Sequence, residues 1–259
     1  MTALHRDRDT VVKTMTADPD PYFAAMPADA AAVLRYARAL QGAGVTLPPG
    51  LAVTDGPGGP SVRHAWIAGP TLPELPGTRS ADFLEAVATI ALWTRSLQRT
   101  GARLDANLAN FVLPAGGSIT CIDVLPPLLT DRRPPEPGPW EQVIGGLCFD
   151  PDISLCALAG YAARHLMRVL EPGPAAAALP GVLGICPGHP APGSLAARWF
   201  HSRLQAAQLV AAGDLDPARA RELLGVTSAR ALQAAPPAER EQHAAAALAV
   251  MTRALRHQP

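Results

Sequence analysis

Asp105 and Asn110 are spaced D-x-x-x-x-N in Arg103-Leu104-Asp105-Ala106-Asn107-Leu108-Ala109-Asn110, and Asp123 follows in Ile122-Asp123-Val124. A carboxylate can accept or orient the proton of a hydroxyl. Carboxylate and amide oxygens also hold hard cations such as Mg²⁺. Phosphoryl transfer makes these two demands: a positioned acceptor and neutralised phosphate charge. A fourth group fits the same chemistry. Lys13 is the single lysine among 22 basic Lys and Arg residues, and a compact ammonium is not replaced by guanidinium where space is tight. Taken one at a time, each has a plain reading: Asp105 and Asn110 as loop caps, Asp123 as a turn former, Lys13 as a surface charge.

The elements that must position these groups follow from periodicity and punctuation. Thr10 to Thr14 is a β-branched strand, and Asp18-Pro19-Asp20-Pro21 a turn. A helix begins near Pro27 or Ala28, carries Val33, Leu34, Ala37 and Leu40 on one face, and ends at Gly42-Ala43-Gly44. Leu51 to Val53 and Val62 to Ile67 are strands joined by the turn Asp55 to Pro60. Gly69 to Gly77 is a Pro-rich connection. Ser80 caps a long helix running to about Arg99, with Phe83, Leu84, Val87, Ile90, Ala91 and Leu97 as its apolar face. The loop with Asp105 and Asn110 comes next. Strands Phe111 to Leu113 and Ile119 to Ile122 then form a hairpin through Pro114-Ala115-Gly116-Gly117, which delivers Asp123. Residues 126–139 are Pro-rich and irregular. Helices are expected at about 153–170, 194–212, 217–224 and 238–256. The class is α+β. Residues 1–72 supply strands and one helix, and residues 73–259 are mostly helical and carry the Asp105–Asp123 segment.

This order resembles the catalytic and metal-binding segments of protein kinases and of aminoglycoside phosphotransferases. The resemblance spans roughly residues 10–125. It implies a protein-kinase-like two-lobed fold, with a small strand-rich N-lobe and a mostly helical C-lobe. It implies ATP and Mg as cofactors, Asp105 as the catalytic base, and Asn110 and Asp123 as metal ligands. Lys13 would pair with nucleotide phosphates. Ala65-Trp66-Ile67-Ala68-Gly69-Pro70-Thr71-Leu72 resembles the hinge of small-molecule kinases, which implies that Trp66, Ile67 and Ala68 meet the adenine. The acceptor would be a hydroxyl of a small molecule or of a peptide natural-product precursor.

The chain departs from that pattern in specific places. The stretch before Lys13 has room for at most one hairpin and holds no Gly-rich run. No glutamate precedes Glu74, so Asp29 reads either as a shorter partner for Lys13 on the first helix or as a charge at that helix's N-terminus. Arg103 stands where a histidine is usual, and no glycine follows Asp123. These departures open a second reading, a pseudokinase-like scaffold that docks a peptide or partner subunit. A protein partner could also complete the nucleotide site.

Bulk composition narrows the rest. Hydrophobic residues make up 48% and charged residues 17%, enough for a sizeable core and against disorder. The net charge of zero argues against a general nucleic-acid binder. No apolar run reaches membrane-span length and the N-terminus lacks a signal-peptide core, so a cytoplasmic protein without membrane attachment is expected. The cysteines, Cys121, Cys148, Cys156 and Cys186, form no C-x-x-C pair and read as buried thiols. Cys186 and His189 resemble half of a metal site, but no second pair has suitable spacing and they read as loop residues without a metal. Ser154, Ser194 and Ser202 lack a G-x-S-x-G elbow. Trp199, Phe200 and His201 belong to a helix as core or wall. Glu141, Asp150 and Asp152 are the carboxylates nearest to hand for an aminosugar.

Overall fold

The computed structural model describes residues 2–15, 21–26, 28–56, 58–186 and 193–256. The expected turn at 18–20 and His189 lie outside them. The chain is α+β and divides into two compact units. The first comprises Met1–Glu74 and Leu92–Pro135, the second Leu75–Ala91 and Glu136–Pro259.

The first unit is built on a four-stranded antiparallel sheet of order β1-β2-β4-β3. Its strands are β1 (Thr2–Asp7), β2 (Thr10–Met15), β3 (Ala52–Gly56) and β4 (Gly59–Ala65). β1 extends the sheet beyond the single strand expected from Thr10. It pairs with β2 through a two-residue turn in which Arg8 takes a left-handed φ of 52°, the backbone sense such hairpins need. The described chain ahead of Lys13 is thus one hairpin, as its length allows.

Register fixes which side chains share a face. Leu4 faces Lys13, which faces Val62; Arg6 faces Val11, which faces His64. Directly opposite residues point to the same side of a sheet, so these six share one face. Val11, Lys13, Val62 and His64 on the two central strands are buried there, while Leu4 on the edge is 60% exposed.

Between β2 and β3 lie α1 (Pro21–Ala24) and α2 (Ala30–Gly42). The start of α2 is set by Asp29, whose carboxylate accepts from Ala32 N at 2.7 Å, a standard N-cap. The helix therefore begins two residues later than the Pro27–Ala28 expectation. It buries Val33, Tyr36, Ala37 and Leu40. The long helix α3 (Ser80–Leu97) is shared: Ser80–Ala91 fall in the second unit and Leu92–Leu97 in the first. After it come a single 3₁₀ turn at Leu108–Asn110 and the short hairpin of β5 (Phe111–Val112) and β6 (Thr120–Cys121).

Grouping Leu92–Pro135 with the sheet differs from the expected split near residue 72, which placed this segment with the helices. The reason is a set of long-range backbone bonds. Cys121 N donates to Thr46 O at 2.9 Å and Leu113 N to Pro70 O at 3.0 Å. Thr71 also bridges Val112, and the Tyr36 hydroxyl donates to Arg103 O at 2.7 Å. The expected Pro-rich connector is in part a strand partner of β5.

The second unit adds α4 (Pro139–Phe149), α5 (Pro151–Val169), α6 (Pro172–Leu183), α7 (Leu195–Ala212), α8 (Pro217–Val226), α9 (Ala229–Ala234) and α10 (Arg240–Arg256). α5, α7, α8 and α10 match the expected helices to within a few residues. α4, α6 and α9 were not expected. α4 and α6 both open with proline, which suits a first helical position, but the surrounding Pro and Gly read as loop. The core includes Met167, Leu179, Val210, Leu223 and Met251.

Serines and acids in this unit do local structural work. Ser194 caps α7 by accepting from Ala197 N, and Asp150 caps α5. Ser202 donates back to Trp199 O. Trp199 and Phe200 are fully buried core. None of the four cysteines is in a disulfide, and Cys156 and Cys186 are in sulfur contact at 2.9 Å. Among the described residues, no single helix is long and apolar enough to cross a membrane. α4 and α5 pass only as a pair, and the pair is bent by 94°.

Candidate active site

The first unit gathers Lys13, Asp105, Asn110 and Asp123. The loop before them is anchored at its start by Arg103, whose Nη1 donates to Leu97 O, Thr100 O and Ala102 O at 3.0, 2.9 and 2.7 Å. Leu97 O is at the end of α3, and Thr100 O and Ala102 O are in the loop that follows it. Arg103 thus clamps the loop to the helix end, which gives its place two residues before Asp105 a structural purpose.

Alternation then aims the polar groups. Leu104, Ala106 and Leu108 are buried, while Asp105 is half-buried and Asn107 exposed. Asp105 Oδ1 accepts from Asn107 N at 2.9 Å and Oδ2 from Asn110 Nδ2 at 2.8 Å. Both carboxylate oxygens are held. The five-residue spacing works because the 3₁₀ turn at Leu108–Asn110, capped by Asn107, folds Asn110 back onto Asp105.

The hairpin closes on the same turn. Ile122 N donates to Asn110 O at 2.8 Å. Asp123 Oδ1 accepts from Leu125 N at 3.2 Å and lies 3.3 Å from Lys13 Nζ. Lys13 Nζ also donates to Ile122 O at 2.7 Å. One ammonium on β2 therefore grips both the backbone and the carboxylate at the end of β6. Lys13 is 7% exposed, and a cation at that depth needs a paired charge and hydrogen bonds to be stable.

Electrostatics link the pieces. Burial raises the Asp105 carboxyl above its ordinary value, the negative charge of Asp123 adds to the rise, and the bonds from Asn107 and Asn110 oppose it. Burial likewise pushes the nearby Cys121 thiol up to about 12, so it is no nucleophile at neutral pH.

Sequence reasoning missed His64. It lies on the Lys13 face of the sheet and is 4% exposed. Burial, and then the charge of Lys13, lower its proton affinity; the Ala65 carbonyl and Asp123 act the other way. Its Nδ1 is 2.8 Å from Ala65 O, and its Nε2 is buried with no hydrogen-bond partner among the described residues. Such an orphan costs about 1–3 kcal/mol. Strand alternation placing His64 two residues from Val62 was the available signal.

Of the two roles open to Asp29, the helix-end one is observed. Asp29 does not partner Lys13: it caps α2 and pairs with Arg132 at 3.2 Å. Its exposed carboxyl is lowered first by the Ala32 N–H bond. Of the three residues expected at the adenine, Trp66 spends its backbone N–H on Asp9 O at 2.8 Å. Its ring lies under the Arg6 guanidinium at 4.0 Å. Ile67 is half-buried and Ala68 exposed on the connecting strand end.

The bonds described above use Asp123 Oδ1 and Asn110 Nδ2, and leave Asp123 Oδ2 and Asn110 Oδ1, the oxygen type that Mg²⁺ accepts. No cluster of three or more His, Cys, Asp or Glu groups able to hold a metal occurs among the described residues. Comparison of the chain with family models, with curated proteins and with solved structures finds no match.

Proposed function

We propose that the protein is an ATP- and Mg-dependent phosphotransferase of protein-kinase-like, two-lobed type, acting on a hydroxyl of a small molecule or of a peptide natural-product precursor. The supporting observation is the convergence of Lys13, Asp105, Asn110 and Asp123, distant in sequence, through direct bonds within one unit. Asp105, desolvated and fixed at both oxygens, holds a carboxylate ready to take a proton from an acceptor hydroxyl. Lys13 supplies a positive point charge for phosphate, and Asp123 and Asn110 offer oxygens to the metal. Bound Mg²⁺ would neutralise charge on the nucleotide phosphates.

Asp105→Asn tests this. It keeps size and one of the two accepted hydrogen bonds but removes the base. Product made by the parent in its native host should fall by about 10²–10⁴-fold, while Mg-dependent ATP binding and thermal stability persist. Equal product from both would sink the catalytic role.

One observation favours the second reading, a pseudokinase-like scaffold for a peptide or partner subunit. Lys13 is already paired with Asp123, so the chain neutralises its own site without a nucleotide. On that reading the parent transfers nothing, and Asp105→Asn retains full biological function. A partner that completes the nucleotide site would instead make ATP binding tighten when it is added.

A further inference from the structure

We propose that Cys156 and Cys186 form a redox clasp in the helical unit: hydrogen peroxide joins them in a disulfide that ties α5 to the end of α6, and a thiol reductant reopens it. The inference does not depend on the phosphotransferase reading.

Their places in the fold make the pair. Cys156 lies in the second turn of α5 and is fully buried. Cys186 follows the end of α6 by three residues and is half-buried. Its N–H donates to Leu183 O at 3.1 Å, a turn that holds it at the helix end. α5 and α6 pack against each other, and the two sulfurs meet at 2.9 Å although 30 positions separate them in the chain. A disulfide needs about 2.05 Å, so the sulfurs have about 0.9 Å left to close.

Unequal exposure orders the chemistry. Cys186 is the member of the pair with surface in solvent, so peroxide meets it first. Its sulfur attacks one peroxide oxygen: an S–O bond forms, the O–O bond breaks, and the displaced hydroxide leaves with the thiol proton as water. Cys186 is then a sulfenic acid. The Cys156 sulfur, already in contact, attacks the Cys186 sulfur: the S–S bond forms, the S–O bond breaks, and hydroxide leaves with the Cys156 proton as a second water. Two thiols lose two electrons, and one peroxide is reduced to two waters. The hydrogen bond with Cys186, and then burial, raise the Cys156 thiol above its ordinary value. Cys156 therefore keeps its proton at neutral pH and acts as the resolving partner, since the thiolate is the attacking form.

The bond closes a loop that holds most of α5 and all of α6. Tying that loop removes freedom from the unfolded chain, so the oxidised protein should melt higher by at least about 3 °C.

The test treats the full chain with hydrogen peroxide, quenches it in acid, denatures it, and reads intact mass and free thiols. The parent should lose about 2 Da, the two thiol hydrogens, and two of its four thiols. Dithiothreitol should restore both, and fragment spectra should link Cys156 to Cys186. Cys156→Ala and Cys186→Ala should each abolish the mass change, and Cys148→Ala should keep it. Four free thiols after treatment overturn the inference. So do oxygen adducts without the 2-Da loss, a link through Cys148, a disulfide between two chains, or a linked chain that melts no higher. The parent's mass and linkage are decisive whether or not a variant folds.

Discussion

Among the described residues, each unit buries one lysine or arginine, and the two are held in opposite ways. Lys13 in the sheet unit meets the carboxylate of Asp123 and the carbonyl of Ile122. Arg203 in the helical unit is fully buried, and its Nη1 donates to Leu224 O, Thr227 O and Thr227 Oγ1 at 2.7, 2.7 and 3.1 Å. These acceptors are neutral and sit at the C-terminal end of α8, where a helix presents unpaired carbonyls and partial negative charge. The Tyr161 ring lies 5.5 Å from the guanidinium. Burial lowers the Arg203 group to about 10, still charged at neutral pH. Arg203 is therefore a helix cap that serves the fold. Lys13 ties together segments far apart in sequence and ends on a carboxylate that a metal could also use. Buried charge marks a candidate site when its partners are themselves reactive, and marks architecture when they are helix ends.

Breaking the two cations should separate these roles. Arg203→Met should have the larger effect on stability. It leaves the Leu224 and Thr227 carbonyls without this donor, and each buried acceptor left unmet costs about 1–3 kcal/mol. Chemical denaturation should show the loss, and activity per folded molecule should be unchanged. A stable Arg203→Met would mean that water or a local shift replaces the cap.

Lys13→Met should do the reverse. Asp123 is partly exposed, with a side-chain accessibility of 23%, so water can take up its lost partner. A stability cost of only about 1–2 kcal/mol is expected, against a loss of ATP affinity of tenfold or more, by calorimetry. A larger unfolding effect than that of Arg203→Met would make Lys13 the structural cation.

The remaining test concerns pH. His165 in the helical unit stacks on Phe83 at 4.3 Å and is lowered to about 4, by burial first and then by the Arg168 charge. A folded value below the unfolded 6.5 means that the unfolded chain takes up protons first as pH falls. Stability should hold above pH 6.5 and drop between about 6.5 and 4, by roughly 1–3 kcal/mol. His165→Phe should flatten that slope in thermal melts across this window. An unchanged slope would assign the acid sensitivity elsewhere.

Much of this was legible in the chain. D-x-x-x-x-N before a hairpin placed Asp105 and Asn110 together, because a five-residue step and a single turn are local geometry. Strand alternation around Lys13, the helix over Val33 to Leu40 and the hairpin at Gly116-Gly117 were likewise short-range. α4 and α6 were not legible. Their Pro and Gly residues signal loop locally, and helix forms because packing outweighs propensity: a Cβ added at Gly146 would lie 2.5 Å from Ala196 Cβ. Glycine there admits α7 at close range, a reason invisible along the chain.

The sequence by itself determined the α+β class, the lysine strand and the identity of the acidic loop, since each rests on neighbours within a turn or a strand. Only the tertiary structure decided between the two readings of Asp29, giving it to a helix end and Arg132, and showed that Lys13 finds Asp123 and that His64 faces the same side of the sheet. Partnership between residues a hundred positions apart is fixed by sheet register and backbone bonds such as Cys121 to Thr46. Register depends on how whole faces bury, and no local spacing encodes that.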